Sequence, residues 1–376
     1  MLLRRRRAVA LAVALLVLTV PGCTKKKSKQ AAPSPSSAAA TQTTAPTSAA
    51  ASIPPAAVST PPAPLASSTP PPKARPVVAA KPKPKPKPVA PRRVDNGHPL
   101  TGGSQPLRPV VVVKINNTRA GMPQSGLASA DVIYQELVEG GETRLAAVFS
   151  TKMPSYVGPI RSTRQTDIEL LGQYGRVSLV YSGAARAMLR VVRQSNLVDA
   201  RWDAVPSAYT EARGRKAPYR VHASLPKIVA RKPGALAKDV GFRFGDLRSP
   251  SKPAKTVVVH WQFVKSTARY SAATKRWTIY FGDRRQVEVD NLIVQYVGFK
   301  NSNARDAAGN PVPVSFTMGS GRVEVFRDGK AVKGVWHRQH MKSRTTMLDG
   351  NKRLIHLKRG TTFVMLLPKN RTISVS

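Results

Sequence analysis

Residues 24–96 set the first limit on what this 376-residue chain can fold into. The stretch is mostly Ala, Pro, Ser and Thr with few large apolar side chains, so it cannot bury enough surface to offset the entropy of ordering it. It closes on Lys81-Pro-Lys-Pro-Lys-Pro-Lys87-Pro88, a pattern that favours extended polyproline II. Fully extended, a tether of this length spans on the order of 200 Å, and its Ser/Thr/Pro content makes it a candidate for O-glycosylation. The folded part must therefore be built from residue 97 onward. The chain has one cysteine, Cys23, so no intramolecular disulfide can form and that part must hold together by its core.

Upstream of the tether, Arg4 to Arg7 precede 13 apolar or small residues from Ala8 to Val20. That is a basic n-region and an h-region too short to span a bilayer as a mature helix. Val20-Pro21-Gly22-Cys23 resembles the lipobox of bacterial lipoproteins, where the thiol receives a diacylglyceryl group and becomes the new N-terminus. The resemblance implies a signal peptide over residues 1–23, palmitate-type acylation of Cys23 and a place on the extracytoplasmic face of the cell membrane. Each buried acyl methylene contributes ~0.8 kcal/mol, so two chains supply on the order of 20 kcal/mol before ordering costs. An ordinary secreted chain with an incidental cysteine is the alternative.

Of the 61 Lys and Arg, 45 lie in residues 96–376 against 18 acids, a net charge of +27 on the folded part. In a cytosolic protein this balance would suggest nucleic acid. Outside a membrane the available polyanions are lipid headgroups, teichoic-type polymers and acidic glycans, and a basic field raises their local concentration. The expected partners are thus the membrane, an anionic wall polymer or peptidoglycan, and a possible protein partner, with no nucleic acid. A solvated, arginine-rich surface is the bland alternative.

Two regions follow the tether. Residues 97–247 alternate strand-like and helical runs and predict an α/β or α+β domain. Pro109 to Ile115 and Val177 to Tyr181 read as buried strands, and Val132 to Val138 and Arg144 to Phe149 as a hairpin around Glu139-Gly-Gly-Glu142. Ser162 to Gly172 and Ala184 to Val192 read as helices. Residues 255–370 read as a mainly-β domain of seven or more short strands, among them Val257 to Phe263, Arg276 to Phe281, Leu292 to Phe299 and Leu354 to Leu357. Turn signals include Asp328-Gly329 and Asp349-Gly350, and Arg248 to Lys255 is the natural linker.

Several long strings are similar to the YerB-like family of bacterial lipoproteins, which pairs N- and C-terminal domains of uncharacterised function. They are Asn116-Asn117…Arg119…Pro123-Gln-Ser-Gly-Leu127…Ala130-Asp131, Glu136-Leu-Val-Glu139-Gly-Gly-Glu-Thr-Arg144 and Val157-Gly-Pro-Ile-Arg161-Ser-Thr-Arg164…Asp167. Arg215-Lys-Ala-Pro218, Asn291-Leu-Ile-Val-Gln295 and Thr361 to Pro368 extend the match over most of residues 97–368. The family pattern after Ala-Pro often carries His-Asn, where this chain has Tyr219-Arg220. If that histidine serves in chemistry, this chain lacks it unless His222 substitutes. The resemblance implies a membrane-anchored envelope protein and supplies no reaction.

The most suggestive local feature is a contrast of charge. Between Asp131 and Glu169 lie six acids and four bases, a net negative island in a basic domain. Glu139, Glu142, Asp167 and Glu169 can pair with Arg144, Arg161 and Arg164, as a structural network would. The arginines, with Asn116 and Asn117 nearby, can instead clamp a carboxylate or phosphate. Alternatively Glu139 or Glu142 with Asp167 can act as acid and base on a glycan; two acids ~5–10 Å apart in an open cleft would suit that chemistry, and acids locked onto arginines would not.

Other patterns are weaker. Ser182 reads as a helix N-cap rather than a nucleophile, since no Gly-x-Ser-x-Gly surrounds it. Ser224-x-x-Lys227 lacks the ordered partners of penicillin-recognising enzymes. His337 and His340 have no convergent acid or thiolate, so no metal and no cofactor is expected. The sequence thus predicts a cell-envelope lipoprotein of a monoderm-type bacterium that binds cell-wall material or a wall-processing partner. A carboxylate-dependent wall hydrolase and a structural scaffold that docks other proteins are the rivals.

Overall fold

A computed structural model describes residues 97–306 and 308–376. The signal peptide, the lipidation site Cys23 and the tether lie outside the described residues.

β-branched and aliphatic runs supply the first strands, β1 (Val111–Asn117), β2 (Val132–Leu137) and β3 (Thr143–Phe149), each buried along its whole length. Such strands belong in the middle of a covered sheet. The chain continues through α1 (Gln165–Leu171), β4 (Ser178–Val180), α2 (Arg186–Gln194) and β5 (Val198–Asp199) to the hairpin β6 (Tyr209–Glu211) and β7 (Val221–Ala223), then α3 (Leu225–Arg231). The remainder is strand: β8 (Lys252–Pro253), β9 (Thr256–His260), β10 (Lys265–Ser271), β11 (Arg276–Phe281), β12 (Arg284–Val289), β13 (Asn291–Arg305), β14 (Pro311–Phe316), β15 (Gly319–Arg327), β16 (Lys330–Arg338), β17 (Thr346–Asp349), β18 (Thr362–Pro368) and β19 (Ile373–Val375). The described residues are thus mainly β, with three helices of seven to nine residues.

A 12-stranded sheet runs β17-β16-β15-β13-β18-β2-β3-β1-β4-β5, with β14 on β13 and β8 on β16. The seam between the two halves of the sequence is β18, parallel to β13 on one side and to β2 on the other. Asn291-Leu-Ile-Val-Gln295 and Thr361 to Pro368, separate strings in the sequence, are those neighbouring parallel strands. The segment that reads as a linker contributes β8 to the edge of β16.

Each face of the large sheet has its own core. On one side Ile133, Leu145, Phe149, Leu292, Phe363 and Met365 meet Val257, Val259, Trp277 and Ile279 of a five-stranded sheet ordered β12-β11-β10-β9-β19. The burial of that smaller sheet alternates residue by residue, one face in and one face out. On the opposite side Val112, Tyr134, Val148, Val325 and Leu366 pack under Leu170 and Leu171 of α1 and under Phe242, Phe244 and Leu357.

Differences from the sequence reading have local causes. The helix expected from Ser162 begins at Gln165, because Arg164 is extended at φ −131°, ψ 165° and Asp167 accepts from its N–H. Leu354 to Leu357 makes only isolated bridges through Leu354 and Leu357. Asp328 and Gly329, both at positive φ, form the β15–β16 turn that their dipeptide predicts.

Candidate functional site

A chain of buried charge crosses the middle of the large sheet. Lys114 interrupts the apolar run of β1, and its side chain, fully buried, meets both Glu136 of β2 and Asp167 of α1, the latter at 2.7 Å. The strand between is β3, where Ala146 stands in register with Lys114. The small Ala146 lets the long lysine side chain cross β3 to reach Glu136. Asp167 also accepts from Thr163 Oγ1 and from the Arg164 N–H, each at 2.7 Å, so it caps α1 while it ties the helix to the sheet.

One lysine cannot neutralise two buried carboxylates. Burial, and then the charge of Asp167, push the Glu136 carboxyl up to about 7 against the pull of Lys114. Protonation of Glu136 leaves a Lys114–Asp167 pair of zero net charge.

The adjoining residues open outward. Glu136, Arg144 and Asn116 form one cross-strand row. From that row Arg144 Nη2 donates to Glu139 Oε1 at 2.8 Å and Nη1 to the Ser162 carbonyl at 3.3 Å. Arg164 donates to both oxygens of Glu139, from Nε at 2.7 Å and from Nη2. Glu139 can reach both arginines because the turn after β2 reverses through Gly140 and Gly141 at φ 68° and 69°. The carboxylate is therefore held between two guanidinium groups and is itself almost entirely buried.

These groups wall a cavity of about 620 Å³. Its polar side is Glu139, Arg144, Arg161 and Arg164. Its apolar side is Ala184, Ala187, Met188 and Val191 of the α2 region, and its rim is the tip of the β13–β14 hairpin with Arg305 and Asp306. Asp306 accepts from the Ala308 and Asn310 N–H groups and so braces its own turn. Arg161 is different from its neighbours. It has no ion pair among the described residues, and its guanidinium lies 5.6 Å from the centroid of the Tyr219 ring. Burial lowers its pKa, and the charge of Arg144 lowers it further. The cavity thus holds four arginines against two carboxylates: Arg305 at the rim donates to the Gly309 carbonyl, and Arg161 is left beside the apolar wall.

The structure brings Glu139, Arg144, Arg161 and Arg164 together and separates the other candidates from them. Asp167 lies beneath the cavity, saturated by Lys114, Thr163 and Arg164. Glu142 does not line it; burial raises its pKa and one of its oxygens has no partner. Glu169 accepts from Thr317 and Met318 and so pins α1 to the segment after β14. Asn116 accepts from Thr118, and Asn117 bridges Thr143, Gln124 and Gln286, so both hold the turn that follows β1. Ser182 does not cap α2, whose N-cap is Ala185; its N–H donates to the Arg161 carbonyl. Ser224 is the N-cap of α3 and Lys227 is exposed. His222 is buried against Tyr156, 4.2 Å between ring centroids, while the Tyr219 ring lies beside Arg161. The position where this chain departs from the family pattern is therefore next to Arg161, which has no ion pair among the described residues.

Lys114 and Glu136 escape a sequence reading that follows charge contrast alone. A lysine inside a strand buried on both faces is the available signal, because a buried charge must find a partner. The apolar wall of α2 and the Arg305–Asp306 rim carry no local signal, since they reach the cavity only through the tertiary fold. Among the described residues no group of three or more His, Cys, Asp or Glu is placed to hold a metal, and no helix is long and apolar enough to cross a membrane.

Comparison with known proteins places this geometry in a family. Residues 97–238 match the N-terminal domain of the protein of unknown function DUF3048, and residues 250–364 match its C-terminal domain. A Bacillus subtilis (strain 168) protein named "Putative lipoprotein YerB" is 48% identical over 63 residues, which are 17% of this chain and 19% of that protein. The aligned segment thus spans about a fifth of that relative. A crystal structure of the YerB protein from Bacillus subtilis superposes with a TM-score of 0.61, covering 73% of this chain and 98% of that one at 19% identity, a likeness of fold. The chain belongs to the YerB-like family defined by these paired N- and C-terminal domains of unknown function.

Proposed function

We infer that this protein is a lipoprotein, anchored through Cys23 to the extracytoplasmic face of a cell membrane, that binds an anionic constituent of the cell wall in the Arg161 cavity. The lipobox-like end of the signal segment and the name of the Bacillus relative support the anchor. The observation that carries the binding reading is the contrast among the three arginines. Arg144 and Arg164 are neutralised on Glu139, whereas Arg161 faces the cavity without an acid. A carboxylate or phosphate on Arg161 would reduce the cavity's excess of positive charge and gain a charge-assisted hydrogen bond. Ala187, Met188 and Val191 would then cover an apolar part of the same ligand. An anionic polymer and the peptide carboxylates of peptidoglycan both carry such a group.

The state of the acids supports binding over hydrolysis. A general acid or base needs a carboxyl that can exchange its proton with substrate, and Glu139 and Asp167 are each saturated by internal donors. A carboxylate-dependent hydrolase is the second reading, with Glu142 the acid least engaged.

The test is co-sedimentation of Pro84–Ser376, the compact unit that holds all the described residues, with purified cell wall. Binding that fades with salt and is lost in Arg161→Gln, with no fragments released, supports the reading. Release of soluble wall fragments that stops in Glu139→Gln or Glu142→Gln would overturn it in favour of hydrolysis.

A further inference from the structure

The β13–β14 hairpin is a blade with two working faces. Along it side chains alternate, so Ser302, Ala304 and Val312 face the Arg161 cavity while Phe299, Asn301, Pro311 and Pro313 face the other way. On that second side lies a separate groove of about 460 Å³, bounded by the far side of the Glu139–Glu142 turn.

Its most exposed apolar element is Phe263, at the tip of the β9–β10 turn that the Trp261 N–H closes onto the Val264 carbonyl at 3.0 Å. Phe263 is 74% exposed. It rests on Gly141, where a Cβ would collide with it. An aromatic ring seated on a glycine and left open on its outer side is a platform, not part of a core. Around it stand Gln262, Asn301 and Arg371, whose side chains make no hydrogen bond or ion pair among the described residues. No carboxylate lines the groove.

We propose that this groove is a second ligand subsite and that it takes an uncharged sugar ring of a glycan, stacked on Phe263. The apolar C–H face of a pyranose matches an aromatic platform, and its hydroxyl and amide substituents match two carboxamides and a guanidinium that have donors to spare. An apolar peptide segment would bury those polar groups unpaired. A polyproline ligand is favoured less: such grooves present several exposed aromatic rings, and of the two that line this one, Phe263 and Phe299, only Phe263 is exposed. The chain's own Lys81 to Pro88 would bring four lysines toward Arg371 with no acid to receive them. The absence of a lining carboxylate makes the subsite one of binding, not cleavage. The subsite stands independently of the anion reading, since it shares no lining residue with the Arg161 cavity.

The experiment is calorimetric titration of the Pro84–Ser376 unit with a neutral probe, the N-acetylglucosamine tetramer. The wild-type protein and Phe263→Trp bind it, Phe263→Ala weakens binding by about tenfold or more, and Arg161→Gln leaves it unchanged. Because Phe263 is exposed, unchanged thermal melting of Phe263→Ala keeps the comparison clean. Failure of the wild type to bind the tetramer, or equal binding by Phe263→Ala, overturns the proposal. Binding of a (Lys-Pro)4 peptide that needs Phe263, without binding of the sugar, overturns it in favour of a peptide groove. Neither result touches the anion reading, which the Arg161 variant and salt decide.

Discussion

Lys114 and Asp167 lie 53 residues apart in the chain and meet at 2.7 Å with both side chains fully buried. That contact joins α1 to the centre of the large sheet and sets the floor beneath the Arg161 cavity. Its energetic meaning follows from asymmetry. Breaking a buried ion pair from one side leaves an uncompensated charge, which costs far more than the intact pair contributes.

Lys114→Met should therefore destabilise the protein by about 3–5 kcal/mol, because Glu136 and Asp167 would face each other without a cation. Urea denaturation of the Pro84–Ser376 unit measures this. A loss under about 1 kcal/mol would mean that the carboxylates simply take up protons and that the triad has little structural weight.

The same cluster should make stability depend on pH. The Glu136 carboxyl is raised from 4.5 to about 7 in the folded protein. Below 4.5 both folded and unfolded chains hold the proton, and the contribution is complete. Between 4.5 and 7 the folded chain keeps a proton that the unfolded chain gives up, so stability falls as pH rises through that window. Glu136→Gln, which is neutral at every pH, should flatten the slope. Parallel denaturation curves of the two proteins from pH 4.5 to 7.5 would refute the assignment.

Arg161 and Arg164 should separate binding from stability. Arg161→Gln removes a cation with no acidic partner and should lower wall binding while costing no more than the contact with Tyr219, about 0.5–1 kcal/mol. Arg164→Gln strips two hydrogen bonds from the buried Glu139 and should cost about 1–3 kcal/mol. Equal thermal shifts in the two variants would contradict the different roles given to them.

Ala146 tests the path of the lysine side chain. Because Lys114 crosses β3 beside Ala146, Ala146→Leu should overpack the site and cost about 1–3 kcal/mol. Ala147, in the next position, faces the opposite core and offers a control for bulk alone. Ala146→Leu without loss of stability would mean that the lysine takes another route.

The sequence exposes what depends on neighbours in the chain. β1, β3 and β18 follow from runs of Val, Ile, Phe and Leu, β11 from the alternation of Trp277, Ile279 and Phe281, and the Glu139–Glu142 turn from its glycines. β16 is less visible because Lys330, Lys333 and His337 share it with Ala331, Val332 and Trp336 and Gly334 interrupts its pattern. Charge contrast correctly groups Glu139 with Arg144 and Arg164, since their elements lie close together in the chain. It cannot show that Arg161 is the cation left over, because that depends on which acids the other two capture. Nor can it show that Asn117 holds a turn, because its partners Gln124, Thr143 and Gln286 come from three separate parts of the chain.

β18 carries a consequence for the order of events in the life of this chain. A polypeptide is made from its N-terminus, and β2 emerges some 230 residues before the strand that completes its far side. Until Thr362 to Pro368 arrive, β2 presents an open row of amides and carbonyls flanked by apolar side chains, the kind of edge that recruits other chains. A truncation or a stalled translation would leave that edge bare. Thr362 to Pro368 thus act as a built-in completion signal: the centre of the sheet closes only once β18 has been made.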